Sequence, residues 1–122
     1  DKMLDTTKAV DAASDVTRLV VPKTIRFTQD SIKATFKDGR SLRGLIDDLK
    51  SGKVTADDLP AIRTFERDGK LYSLDNRRLK AFQEADVPVR TRSATAEEMK
   101  NEAFKLTSKN DGASIRVRGD GL

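Results

Sequence analysis

Leu42, Leu45, Ile46 and Leu49 recur at the i, i+3, i+4, i+7 spacing of a single helical face. Ser41 stands in the N-cap position and Gly52 where a left-handed C-terminal cap belongs. A helix bounded in this way carries one apolar stripe, and that stripe must be covered by another layer. The cover is predicted a few residues on. Ala61–Glu66 alternates polar and apolar residues, Asp68-Gly69 is a tight-turn signal, and Leu71–Leu74 reads as the returning strand of a hairpin.

The remaining elements follow from the same rules. Thr24–Phe27 alternates as a short strand, with Gln29-Asp30-Ser31 as a turn. Asp75 is placed to cap a helix over Asn76–Ala85, whose inner face carries Leu79 and Phe82. Val87-Pro88-Val89 is extended, and its proline predicts an edge or strand-start position. Thr95 and Glu98 form a capping box opening a helix to about Leu106. Ser114–Arg118 alternates as a last strand. The expected fold class is α+β, a small mixed sheet with about three helices. The chain has 122 residues, the size of one domain. Residues 1–22 read as an N-terminal helix or linker ended at Pro22, and 23–122 as the functional domain.

Composition narrows the chemistry. The sequence contains no histidine and no cysteine, so a Ser-His-Asp triad, an imidazole general acid, a thiol nucleophile and a Cys or His metal site within it are all excluded. No apolar run approaches the length of a membrane helix. Lysine and arginine number 24 against 20 acidic residues, a formal charge of +4. The chain begins at Asp1 rather than Met, which reads as the end of something longer.

Arginine is the residue type best placed to do chemistry. Arg77 and Arg78 open a predicted helix, where backbone donors and the positive end of the dipole favour an anion. Arg90 and Arg92 share one strand face, as do Arg116 and Arg118, and Arg63 and Arg67 lie on the hairpin. Such pairs can hold phosphate, or form a solvated face balanced by the many acids. Asp38-Gly39-Arg40 is either a turn before a helix or one wall of a cleft, with Asp38 facing Arg77 or Arg78 and Lys37 or Arg40 holding phosphate. Asp47-Asp48 and Asp57-Asp58 resemble metal ligands only on paper, because neighbouring helical side chains diverge.

From Ile25 to Val89 the chain resembles the ParB/sulfiredoxin superfamily. The resemblance rests on Pro60-Ala61-Ile62-Arg63, the arm Asp68–Asp75, Asn76-Arg77-Arg78-Leu79-Lys80-Ala81, and Ala85–Val89. The string Leu74-Asp75-Asn76-Arg77-Arg78-Leu79 is similar to a narrower branch, the C-terminal toxin modules of bacterial polymorphic and contact-dependent inhibition systems. The sequence lacks the Gly-Glu-Arg-Arg form usual in ParB and the Cys of sulfiredoxin, so sulfiredoxin chemistry is excluded.

The resemblance implies a toxin domain, delivered from a large secreted protein to the target-cell cytoplasm, that cleaves nucleic acid. RNA, and tRNA in particular, is the leading substrate. Arg77 and Arg78 would bind phosphate and stabilise the transition state, with Asp75 or Asp38 as base or orienting group. Arg40, Asn76, Gln29, Ser31, Tyr72, Arg116 and Arg118 would contact substrate. No metal or other cofactor is expected. The implied partners are an acidic immunity protein, RNA, and a target-cell activating factor. The alternatives are a non-catalytic DNA- or nucleotide-binding ParB-like module and a metal-dependent DNase.

Overall fold

The computed structural model describes residues 17–119. These form an α+β fold, a curled mixed sheet of five strands with a smaller two-stranded sheet beside it. The strands are β1 (Arg18–Val20), β2 (Ile25–Phe27), β3 (Ser31–Lys33), β4 (Ile62–Arg67), β5 (Lys70–Ser73), β6 (Val89–Ser93) and β7 (Arg116–Arg118). The helices are α1 (Leu42–Ser51), α2 (Asn76–Ala85) and α3 (Ala96–Asn101). The larger sheet runs β1-β6-β4-β5-β2, and β3 pairs with β7. Pairing alternates in sense: β1–β6 and β4–β5 are antiparallel, whereas β4–β6 and β2–β5 are parallel. None of the described helices is long and apolar enough to cross a membrane.

The predicted stripe builds the core. Leu42, Leu45, Ile46 and Leu49 are all buried on α1, which packs against α2. Leu79, Ala81 and Phe82 of α2 meet Ile25, Phe27, Ile62 and Val89 of the sheet in the same cluster. Each large side chain buried this way contributes about 1.5–3 kcal/mol. Ser41 caps α1 by accepting from the Gly44 N–H at 2.9 Å, and Gly52 closes it at φ 81°. Asp68 and Gly69 both have positive φ, the type I′ geometry that matches the twist of the β4–β5 hairpin.

Tertiary context overrides several local expectations. The approach to Pro22, read as helix or linker, contains strand β1 paired with β6, and residues 1–16 lie outside the described part. Pro88 precedes a strand, as expected. That strand is flanked by β1 and β4, so it is not an edge. Ser31 lies in β3, paired in register with Arg116, rather than in a turn. The helix opened by Thr95 stops at Asn101 and is followed by a separate 3-10 turn, Ala103–Lys105.

Candidate functional site

Alternation along the strands sorts the arginines. On β4, Ile62 and Thr64 are buried, and Arg63 faces the other way. On β6, Val89 and Thr91 are buried, and Arg90 and Arg92 face the other way. The parallel register places Arg63 beside Arg92. Like charges side by side on one sheet face repel, so the arrangement calls for carboxylates between them.

Glu98, Glu102 and Asp75 supply these. Arg92 makes a two-bond fork to Glu98, at 2.9 and 2.7 Å. Glu98 also receives the Thr95 N–H and so completes the capping box of α3. Arg63 donates to Asp75 from Nε at 3.1 Å and Nη2 at 2.7 Å, and its backbone N–H reaches the same carboxylate at 2.7 Å. The other side of its guanidinium pairs with Glu102, which is bonded in turn to Lys105 at 2.6 Å. Arg78 reaches Asp75 at 3.3 Å. Four cations, Arg63, Arg78, Arg92 and Lys105, thus share three carboxylates.

The acids respond accordingly. Burial, the largest influence on Asp75, pushes its pKa up, but the bonds from Arg63 and the charge of Arg78 prevail and it lies below the ordinary value. Glu102 is lowered too, with burial opposed by Arg63 and Lys105. The Arg92 fork brings Glu98 down to about 2, against burial. Arg63, bound to Asp75, holds its proton more tightly than a free arginine.

Because Asp75 turns toward Arg63, it makes no side-chain cap on α2. The expected helix cap is therefore lost to a longer-range ion pair. The first turn of α2 keeps backbone N–H groups that its own helix cannot satisfy. A groove of about 630 Å³ opens along this end, lined by Gln29, Arg77, Arg78 and Lys37. Phe36, Phe104 and Lys105 line it as well. Arg77 is held in place by the Thr35 carbonyl at 2.7 Å, with its guanidinium 5.8 Å from the Phe36 ring centre. Phe104 stands 72 % exposed. Cations, helix donors and aromatic faces in one groove can hold a phosphate with a base stacked beside it.

The structure brings together Asp75, Asn76, Arg77, Arg78 and Gln29 from the expected set. Asn76 is engaged within the protein, however. Its side chain is buried and fully engaged, accepting from the Thr28 N–H and donating to Thr28 Oγ1 and Gln29 Oε1, each at 2.9 Å. It ties the end of β2 to the start of α2 and so positions Gln29.

Asp38, expected in one cleft with Arg77 and Arg78, forms no ion pair with either arginine. Asp38 is not among the groove residues. It pairs locally with Arg40, accepting from its N–H and from Nε at 3.0 Å, which is turn chemistry around Gly39 at φ 89°. The Arg40 N–H is the main reason its pKa is lowered. Arg40, Ser31, Tyr72, Arg116 and Arg118 also lie outside the groove lining. Tyr72 is buried, its ring stacked on Phe65 at 5.7 Å. Arg116 and Arg118 are exposed on β7 of the smaller sheet.

Phe104 and Lys105 were not foreseen. A helix continuing to Leu106 hides them in its periodicity, whereas the break after Asn101 brings them to the groove. Among the described residues, no group of three or more acidic side chains is gathered to hold a metal ion. The chain matches no protein family, no curated protein and no solved structure.

Proposed function

We propose that this chain is an RNA-binding and RNA-cleaving toxin domain that takes the phosphate backbone at the N-terminus of α2, with tRNA as the leading substrate. The observation that carries the reading is the groove at that helix end, where Asp75 makes no cap and Arg77, Arg78, Lys37 and Lys105 gather. An anion there gains both the backbone donors and the cationic side chains. Phe104, largely exposed, adds a face on which an unpaired base can stack, a feature suited to single-stranded RNA.

The reaction that fits such a groove is internal transesterification. The ribose 2′-OH gives its proton to solvent and attacks the neighbouring phosphorus. The bond to the 5′-oxygen breaks and that oxygen takes a proton from water, leaving a 2′,3′-cyclic phosphate and a 5′-OH, while Arg77 and the α2 N–H groups stabilise the added charge on the phosphate oxygens. Asp75 and Glu102 are committed to Arg63, so they act as positioning groups for the cations and not as the base. That same commitment favours a second reading, a phosphate-binding module that performs no cleavage.

Induction of the domain in bacteria, followed by a gel of total RNA, separates the two. Discrete tRNA fragments, lost in Arg77→Ala with the melting temperature unchanged, are expected. Intact RNA together with tight oligonucleotide binding by the purified protein would select the non-catalytic module. Loss of neither cleavage nor binding in Arg77→Ala would remove the groove from both readings.

A nuclease of this kind needs an immunity protein in the cell that makes it. The cationic groove suits an acidic inhibitor, whose association rate should fall steeply as salt is raised. A salt-independent rate would point to an inhibitor bound elsewhere.

A further inference from the structure

A second hollow, of about 470 Å³, lies on the other side of the Arg63–Asp75 pair. It shares Arg63, Asp75 and Arg78 with the α2 groove, so the pair forms a ridge between two depressions. Arg90, Arg92 and Glu98 line it as well, Glu98 being forked onto Arg92.

These arginines differ in what holds them. Arg63 and Arg92 are forked onto carboxylates and largely neutralised. Arg90 is held mainly by backbone carbonyls, Leu59 at 2.8 Å and Ala56 at 3.3 Å. Its nearest carboxylate among the described residues, Asp57, is 3.8 Å away and 91 % exposed, so it screens little. Arg78 donates to the adjoining Pro60 carbonyl and shares Asp75 with Arg63. Neighbouring carbonyls of one short segment therefore orient both side chains, leaving the charge of Arg90 nearly uncompensated and that of Arg78 balanced in part by the carboxylate it shares with Arg63. A carbonyl fixes the guanidinium and leaves its other N–H groups for a ligand, which is the arrangement a phosphate site requires.

We propose that the hollow between Arg78 and Arg90 is a second phosphate subsite, and that the ligand is an oligonucleotide strand crossing the Arg63–Asp75 ridge rather than a free nucleotide. The proposal rests on the nucleic-acid reading of the α2 groove and extends it to the length of the ligand. Arg78, at the border, serves both subsites. Arg77 serves the first and Arg90 the second.

Binding of 2′-O-methyl oligonucleotides, which the transesterification above cannot cut, tests this with chains of one to four internucleotide phosphates. Affinity of the intact protein should rise roughly tenfold when the chain becomes long enough to reach the second subsite. Arg90→Gln should abolish that step and leave the shortest ligand within about twofold of its original affinity. A merely structural Arg90 would weaken every length alike, and a step that survives Arg90→Gln would likewise overturn the proposal. Arg77→Ala should weaken all lengths, which separates failure of the second subsite from failure of the groove. No binding of any length would remove the reading on which both depend. Should Arg90→Gln not fold, the intact protein answers through salt. The slope of log K against log salt should steepen by about 0.7 as the second phosphate engages, and an unchanged slope overturns the subsite.

Discussion

Arg63 and Asp75, twelve positions apart, are joined by two side-chain bonds and by the Arg63 backbone N–H, so one carboxylate fixes β4 against the start of α2. It does this at the expense of the helix cap it would otherwise form. The stability of this corner and the openness of the helix end thus have one cause.

Asp75→Ala should destabilise the domain by roughly 3–5 kcal/mol, because it leaves Arg63 and Arg78 without their shared carboxylate in a nearly buried place. The Asp75 side chain is only 11 % exposed. Urea unfolding of the variant measures the loss. A change under about 0.5 kcal/mol, the range of ordinary surface substitutions, would mean that the pair does not hold the corner.

Acid should weaken the fold through the same network. Glu98 has a folded pKa of about 2 against an ordinary 4.5, chiefly because of the Arg92 fork. A lowered folded pKa means that the unfolded chain takes up the proton first as pH falls. The stabilisation is therefore complete above about pH 4.5 and is lost progressively toward pH 2, with Asp75 and Glu102 shifted in the same direction. Urea midpoints measured across this window should fall with pH, and the fall should be shallower in Glu98→Gln. Parallel curves for the two proteins would assign the acid sensitivity elsewhere.

Two glycines with the same backbone sign should respond very differently to alanine. At Gly112 (φ 73°) a Cβ would stand 2.2 Å from the Phe27 carbonyl oxygen, and the Gly112 carbonyl accepts the Phe27 N–H at 3.0 Å. At Gly52 (φ 81°) nothing lies within 4 Å. Gly52→Ala should cost about 1–2 kcal/mol, the left-handed penalty alone. Gly112→Ala adds a backbone clash to that penalty and should exceed about 3 kcal/mol, loosening the loop that covers the edge of β2. Similar melting temperatures for the two variants would contradict this packing.

Phe104→Ala tests the stacking role of the groove. The ring is 72 % exposed, so its removal should leave the melting temperature nearly unchanged. Affinity for single-stranded RNA should nevertheless fall by about 1–3 kcal/mol if a base rests on it, as read by a filter-binding titration. Unchanged affinity would remove Phe104 from the interface.

Local signals sufficed wherever one short segment decides its own geometry. The stripe Leu42–Leu49 with Ser41 and Gly52, the Asp68-Gly69 hairpin, the bounds of α2 and the Thr95–Glu98 capping box were all legible, because spacing and cap chemistry act within a few residues. The α+β class followed from the order of those elements. Arg77 and Arg78 were legible as residues of a helix start, whereas the place of Gln29 beside them in the groove lining came from the fold.

Only tertiary structure decided which polar side chains are occupied. Asp75 lies where a cap belongs, but the parallel pairing of β4 with β6 sets Arg63 beside Arg92 and draws the carboxylate away. Asn76 reads as a substrate contact until the end of β2 folds over it, accepts both of its amide N–H bonds and donates one to its oxygen. Asp38 carries the same charge as Asp75 but pairs with a residue two positions along and forms no ion pair with the arginines of α2. Strand β1 likewise depends on a partner distant in sequence, β6. The sequence determines which elements form and which charges the chain carries. Whether a given charge is spent inside the fold or left for a ligand depends on pairings between remote strands, which no local spacing encodes.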